Sequence, residues 1–246
     1  MYKKLAIGLI VSGGNDFYES SILDYWCPLI TFFRDYDQLD CFLLFSNETK
    51  NTQIISKLLE MGLEENIRVY EVEETGNVGE PGCLLKTLLW LEEIQDKYEF
   101  VLRGNISTVV FYDKLIKYLN ELNLENGCVI GSFSNKKCPK DSYYVSGASF
   151  IMSNCVAKKL CSVNIKKYNI NSPDDVVIQR MFQSFKPVCI ELSFYEPNLC
   201  KEKIEEIYEN AINSDRIIRL KNDNRMKTDL AMQKYVIENY YSKLNF

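Results

Sequence analysis

The chain has 246 residues, 46% hydrophobic and 13% aromatic, enough to bury a substantial core and near the upper size for one α/β domain. A net charge of −5 and a pI near 5.1 supply no basic field of the kind duplex nucleic acid requires, and no stretch approaches the roughly 20 apolar residues of a membrane span. Histidine is absent, which removes Ser-His and Cys-His nucleophile pairs, His-ligated zinc and any imidazole base; chemistry falls to carboxylates, Lys, Tyr or Cys.

Along the chain, Lys3 to Val11 reads as a buried first strand ending at the loop-forming Ser12-Gly-Gly-Asn15, which is placed to face a nucleotide. Helical character from Tyr25 to Asp35 is followed by a strand at Asp40–Ser46, an amphipathic helix over Gln53–Met61 and a strand at Ile67–Val72. Thr75 to Gly82 is the most loop-like stretch, and Cys83–Lys97 is a core-facing helix leading into a strand at Phe100–Leu102. A helix over Phe111–Leu122, strands at Cys128–Phe133 and Tyr143–Met152 and a short helix at Asn154–Cys161 follow. After Asp174 come a helix to about Phe185, a strand at Val188–Leu192, an acidic helix over Lys201–Asn213 and a final helix over Leu230–Tyr241. The alternation predicts an α/β fold with a mixed, mainly parallel central sheet flanked by helices, one domain over 1–246 with 201–246 as a helical, basic appendage. The aromatic tail from Tyr235 to Phe246 is suited either to a partner's groove or to its own core.

The nine cysteines include no Cys-x-x-Cys pair and are odd in number, so reduced, mostly buried thiols are expected rather than a disulfide framework or zinc knuckle. Leu5–Val11 is too short for a signal-peptide core, and the expected location is the cytoplasm. The sequons at Asn47 and Asn105 then carry no sugar, because a sequon matters only in a secreted chain.

Polar clusters mark where chemistry belongs. Tyr98-Glu-Phe-Val-Leu-Arg-Gly-Asn-Ile-Ser107 is an apolar run ending abruptly in Arg103, Gly104, Asn105 and Ser107, and a polar cluster at a strand's end is where α/β folds bind ligands. Arg103 pairs either with a phosphate, through two parallel bonds, or with a nearby Asp or Glu; Asn105 and Ser107 serve equally as caps of a helix beginning near Val109. Val145-Ser-Gly-Ala-Ser-Phe-Ile-Met-Ser153 reads as a strand with a glycine bulge and an N-cap at Ser153. Ser172-Pro-Asp-Asp175 makes a good helix start, with Ser172 as N-cap and Pro173 at the first helical position. Arg216 to Asp229 is locally basic in an acidic protein, suiting an anionic ligand or a strand laced with ion pairs.

In this order the segments resemble nucleotide-sugar glycosyltransferases of the GT-A (Rossmann-like) fold, specifically a bacterial and large-virus type with Arg-Thr-Asn-Leu-Ser-Ser in place of the usual Asp-x-Asp. The resemblance runs from Ser12 to Asp229 and includes Lys86-Thr87 in the preceding helix, Ser-Gly-x-x-Phe-x-Met-Ser at Ser146–Ser153 and a C-terminal Arg-x-Lys element. It implies transfer from a donor, UDP-linked, to a glycan, protein or small-molecule hydroxyl, with inversion. Asp175 is the implied base and Asp174 its alternate, because a carboxylate within reach of the acceptor hydroxyl removes its proton. Ser12, Gly13, Lys86, Arg103, Asn105, Ser107, Arg219, Lys221 and Arg225 would hold the donor; Ser146, Gly147 and Ala148 would lie against sugar or acceptor. A divalent Mn or Mg ion lacks its usual ligands, because the strand-end position of the Asp-x-Asp reads Arg103-Gly104-Asn105 and the chain has no histidine, so no metal ligand is assigned. Rival readings are a non-catalytic nucleotide-sugar or glycan binder on the same scaffold and, more weakly, a nucleotidyltransferase or methyltransferase; no phosphate-binding glycine motif follows the first strand.

Overall fold

The computed structural model describes residues 3–12, 16–34, 36–50, 52–73, 81–122, 127–134, 144–170, 172–192, 204–214, 217–218 and 225–244. In chain order these form β1 (Lys3–Ile10), α1 (Asp16–Ser20), a π segment (Ser21–Trp26), α2 (Cys27–Phe33), β2 (Leu39–Ser46), α3 (Thr52–Glu60), β3 (Ile67–Tyr70) and α4 (Gly82–Glu93). The chain continues through β4 (Tyr98–Asn105), β5 (Val109–Val110), α5 (Tyr112–Glu121), β6 (Cys128–Ser134), β7 (Tyr144–Ser153) and α6 (Asn154–Ser162). It ends in α7 (Asp174–Gln183), β8 (Val188–Glu191), α8 (Ile204–Ser214), β9 (Ile217–Ile218) and α9 (Arg225–Asn239).

Seven strands form one sheet in the order β3-β2-β1-β4-β7-β6-β8, and β5 pairs with β9 in a second, two-stranded sheet. In the large sheet only β7 runs antiparallel, against β4 on one side and β6 on the other. The expected mixed, mainly parallel sheet is therefore present. Every residue of β1 from Leu5 to Ile10 is buried, as befits a central parallel strand covered on both faces.

The two faces support separate cores. Leu5, Ile7 and Leu9 of β1, with Phe100 and Leu102 of β4, join Trp26, Tyr112, Met232 and Tyr241 beneath α2, α5 and α9. Ala6, Ile10 and Val101 face the opposite layer, where Trp90 of α4 packs with Val177 and Met181 of α7. Gly8 belongs to that second face: a Cβ placed there would lie 2.5 Å from Trp90 Cζ3, so the absent side chain is what admits the indole.

Three boundaries differ from the sequence reading for identifiable reasons. The first helical stretch starts at Asp16 rather than Tyr25, and a widened turn hides its period: the Cys27 N–H donates to the Ile22 carbonyl, five residues back. Pro28 has no N–H to give, and the widening just before it accommodates its ring. The helix expected to reach Lys97 stops at Glu93, with Asp96 in a left-handed turn at φ 67°. Val109 begins a short strand rather than a helix, because it pairs with Ile218.

The described part of the aromatic tail packs on its own core through Tyr235, Tyr240 and Tyr241, and Phe246 lies outside the described residues. Tyr241 is 2% exposed, its hydroxyl donating to the Val110 carbonyl at 2.6 Å and accepting from the Tyr112 amide at 3.3 Å. No helix among the described residues is long and apolar enough to cross a membrane.

Candidate active site at the carboxyl edge of the parallel strands

β4 continues three residues beyond the predicted strand, so Arg103 and Asn105 lie within it, in register with Gly8 and Ile10 of β1. Alternation places both on the Val101 face, toward α4 and α7. Arg103 is 2% exposed; its Nη1 donates to Asn105 Oδ1 at 3.2 Å, and its Nη2 donates to the carboxylate of Asp174, the first residue of α7. Of the two sequence readings for Arg103, pairing with a carboxylate is thus realised, and the partner is the alternate base itself.

The start of α7 differs from the expected cap. Pro173 occupies the N-cap position and makes no side-chain cap bond, and Asp174 and Asp175 follow in the first turn. Asp175 Oδ1 accepts from the Val176 amide at 2.9 Å, and both negative charges favour the positive end of the helix.

At the neighbouring end of β1, Lys86 reaches up from α4 and donates from Nζ to the Val11 carbonyl at 2.8 Å. Lys86 is fully enclosed, and burial of an ammonium is tolerable only where oxygen receives it. Trp90, one turn later on the same side of α4, is seated on Gly8. Ser12 Oγ lies 3.2 Å from Tyr18 Oη, joining the end of β1 to α1.

The chain turns sharply after β4, with the Thr108 amide donating to the Asn105 carbonyl at 3.0 Å. Within that turn the Ile106 carbonyl accepts from three buried side chains: Ser21 Oγ at 3.0 Å, Trp26 Nε1 at 2.8 Å and Gln233 Nε2 at 2.7 Å. Ser107 caps no helix, because β5 follows it and α5 takes Phe111 as its N-cap.

β6 and β7 pair Gly131 with Phe150 and Phe133 with Val145. Across this interval β6 advances two residues (131 to 133) and β7 five (145 to 150), so β7 carries three extra, around Ser146, Gly147 and Ala148. The expected irregularity is present beside Ser149, the register partner of Gly104 in β4. Ser153 is the N-cap of α6, but its hydroxyl accepts from the Cys128 amide at 3.0 Å instead of capping its own helix.

Gly13, Arg219 and Lys221 lie outside the described residues; Arg225 is the first residue of α9, where only its backbone is described. Asp229, 2% exposed, lies one helical turn before Gln233 on α9. Sequence reasoning missed Ser21, Trp26 and Gln233 altogether. The only available signal was a glutamine between the apolar Met232 and Val236 of α9, all three being buried.

Burial pushes the thiols of Cys27 up to about 12 and of Cys128 and Cys161 up to about 11, and raises the Tyr112 and Tyr241 hydroxyls well above their usual range. These groups stay protonated near neutrality and offer neither nucleophile nor base.

No protein-family model matches this chain, and no curated protein sequence matches it. Solved structures do. The galactosyltransferase LgtC, in complex with donor and acceptor sugar analogs, matches at TM-score 0.53 and 12% identity over 96% of this chain and 95% of that one. The bifunctional glycosyltransferase WbbM, in its apo form, matches at TM-score 0.51 and 12% identity over 98% of this chain and 51% of that one. The apo glycosyltransferase GlyE of Streptococcus pneumoniae TIGR4 matches at TM-score 0.50 and 12% identity over 99% of this chain and 64% of that one. The chain therefore spans about half of WbbM and under two thirds of GlyE. At this identity the likeness is one of fold: a GT-A, Rossmann-like sheet with helices on both faces.

Proposed function

We propose that this chain is a glycosyltransferase that moves a sugar from a nucleotide-sugar donor, UDP-linked, to a hydroxyl acceptor with inversion at the anomeric carbon. The observation that carries the reading is the convergence of Arg103, Asn105 and Asp174 at the carboxyl edge of the parallel strands, where folds of this kind receive ligands. Arg103 is assigned to the donor diphosphate as a positive charge at the strand end, its Nη1 and Nη2 already engaged by Asn105 and Asp174. Lys86, enclosed and bound to the Val11 carbonyl, positions the Val11–Ser12 segment that follows β1, and Gly13 is assigned to the donor from its place in the sequence. Arg219, Lys221 and Arg225 of the basic tail are assigned to neutralising the departing nucleotide, and the Ser146–Ala148 bulge to the acceptor side.

Asp175 serves as base: it takes the acceptor's hydroxyl proton as that oxygen bonds to the anomeric carbon and the bond to the diphosphate breaks. Asp174 is committed to Arg103 and acts chiefly by orienting it, although it stays the alternate base. The donor set does not fit a divalent ion, because a fixed guanidinium occupies the strand end and binds one of the two carboxylates beside it. Cationic side chains are assigned that charge-neutralising role instead, and transfer is read as independent of metal.

The same Arg103–Asp174 pair favours a second reading, a nucleotide-sugar or glycan binder without turnover, since a carboxylate held by a guanidinium is withdrawn from proton transfer. One experiment separates the two: UDP- and GDP-linked sugars are screened for binding and nucleotide release, with Mn²⁺ or with chelator, on wild type, Asp175→Ala and Asp174→Asn. Release that survives chelation and falls at least about 100-fold in Asp175→Ala supports the transferase. Tight binding without release supports the binder, and no binding of any donor overturns both.

A further inference from the structure

The Ile106 carbonyl has two lone pairs and three buried donors, from the π segment and from α9, more than its own satisfaction requires. All three come from the layer that also holds Trp26, Ile106 and Met232, so they pin the carbonyl into that layer. In a trans peptide the C=O and the next N–H point opposite ways. The Ser107 N–H is therefore aimed at the other face of β4, the face of Arg103, Asn105 and Asp174. Ser107 is 8% exposed, and among the described residues neither its amide nor its hydroxyl has a hydrogen-bond partner. An amide on so enclosed a residue with no protein acceptor is suited to receive a ligand's.

We propose that the Ser107 N–H, with the Ser107 hydroxyl beside it, donates to an anionic phosphate oxygen of the ligand, and that Ser21, Trp26 and Gln233 are positioning residues that aim it through the Ile106 carbonyl. Naming a nucleotide-sugar diphosphate as the source of that oxygen rests on the function proposed above; the geometry does not. Gln233 lies 127 residues from Ile106, so the C-terminal helix sets the orientation of a ligand-facing peptide on β4's exit turn. Ser21 and Trp26 do the same from the π segment, where the widened turn brings them to one acceptor.

The test is an amide titration. Full-length ¹⁵N-labelled protein receives inorganic pyrophosphate and, separately, UDP, with the Ser107 resonance followed by NMR in wild type, Ser21→Ala and Gln233→Met. The expected result is a saturable shift of the Ser107 amide in wild type, and pyrophosphate binding weakened about 5- to 10-fold in each variant that keeps the wild-type circular dichroism. Ser21→Ala removes a single oxygen and keeps the test available should Gln233→Met fail to fold. A Ser107 amide indifferent to both probes overturns the proposal, as do variants that lose thermal stability while keeping wild-type affinity and shift. A saturable Ser107 response without turnover of any nucleotide sugar supports this proposal while removing the transferase reading.

Discussion

Replacing Asp174 with Asn tests whether the Arg103–Asp174 pair holds the site together. The Arg103 side chain is 3% exposed and that of Asp174 18%, so Asp174→Asn removes the counter-charge of a guanidinium almost wholly shielded from water. Breaking a fully buried pair costs about 3–5 kcal/mol; the partial exposure of Asp174 brings the expected cost to about 2–3 kcal/mol. At about 2–4 °C per kcal/mol for a chain of this size, the melting temperature falls by about 4–12 °C. Arg103→Met leaves behind a carboxylate that reaches solvent and loses the bond to Asn105, for about 1–2 kcal/mol. The double variant, which buries neither lone charge, costs less than the sum by at least about 1 kcal/mol. Urea unfolding at pH 7, in low and high salt, measures all four proteins, and the coupling persists in salt because enclosed pairs are screened weakly. Costs that add within about 0.5 kcal/mol would refute the argument, leaving Asp174 a helix-start residue that merely touches Arg103.

Gly8→Ala drives a methyl to within 2.5–2.7 Å of three Trp90 ring atoms in a fully buried position, and is expected to cost about 2–3 kcal/mol and alter the near-ultraviolet tryptophan signal. An unchanged signal and stability would place the indole elsewhere. Tyr241→Phe removes the hydroxyl that joins the Val110 carbonyl to the Tyr112 amide, for about 1–2 kcal/mol by urea unfolding. In alkali, burial holds the Cys27 thiol at about 12 against an ordinary 9.0, so below pH 9 both folded and unfolded chains keep the proton. Above pH 9 the unfolded chain releases it first, and stability falls at up to about 1.4 kcal/mol per pH unit until about pH 12. Cys27→Ala should flatten this decline between pH 9 and 10.5; an equal slope in both proteins would mean that the thiol is not enclosed as described.

The central parallel strands could be read from the apolar runs Leu5–Val11, Cys41–Phe45 and Phe100–Leu102 within β1, β2 and β4, since such runs belong between two helical layers. The first helix was only half legible because its period changes at Ser21–Trp26, and a search at 3.6 residues per turn discards the stretch before Pro28. β5 and β9, two residues each, are too short to alternate and exist only because they meet each other. In the site, residue types were legible but partnerships were not. Asp174 is 71 positions from Arg103, and nothing local states that the alternate base and the guanidinium at the end of β4 are bonded to each other. The bulge at Ser146–Ala148 was visible because glycine in a strand advertises irregularity, whereas Trp26 looked like an ordinary helix member and Ser21 lay outside every predicted element.

The alternation of β4 has a bearing on how this protein tolerates insertions and deletions. Val101, Arg103 and Asn105 face α4 and α7, while Phe100, Leu102 and Ile106 face the aromatic layer around Trp26. Removing any one residue between Phe100 and Leu102 would turn a guanidinium into hydrocarbon and put Gly104, which has no side chain, opposite Asp174, whatever the loops on either side did. Length variation among natural or engineered versions of this chain should therefore collect in the segments between strands and vanish from β4, and a library of single-codon deletions scored for soluble yield would display that gap directly.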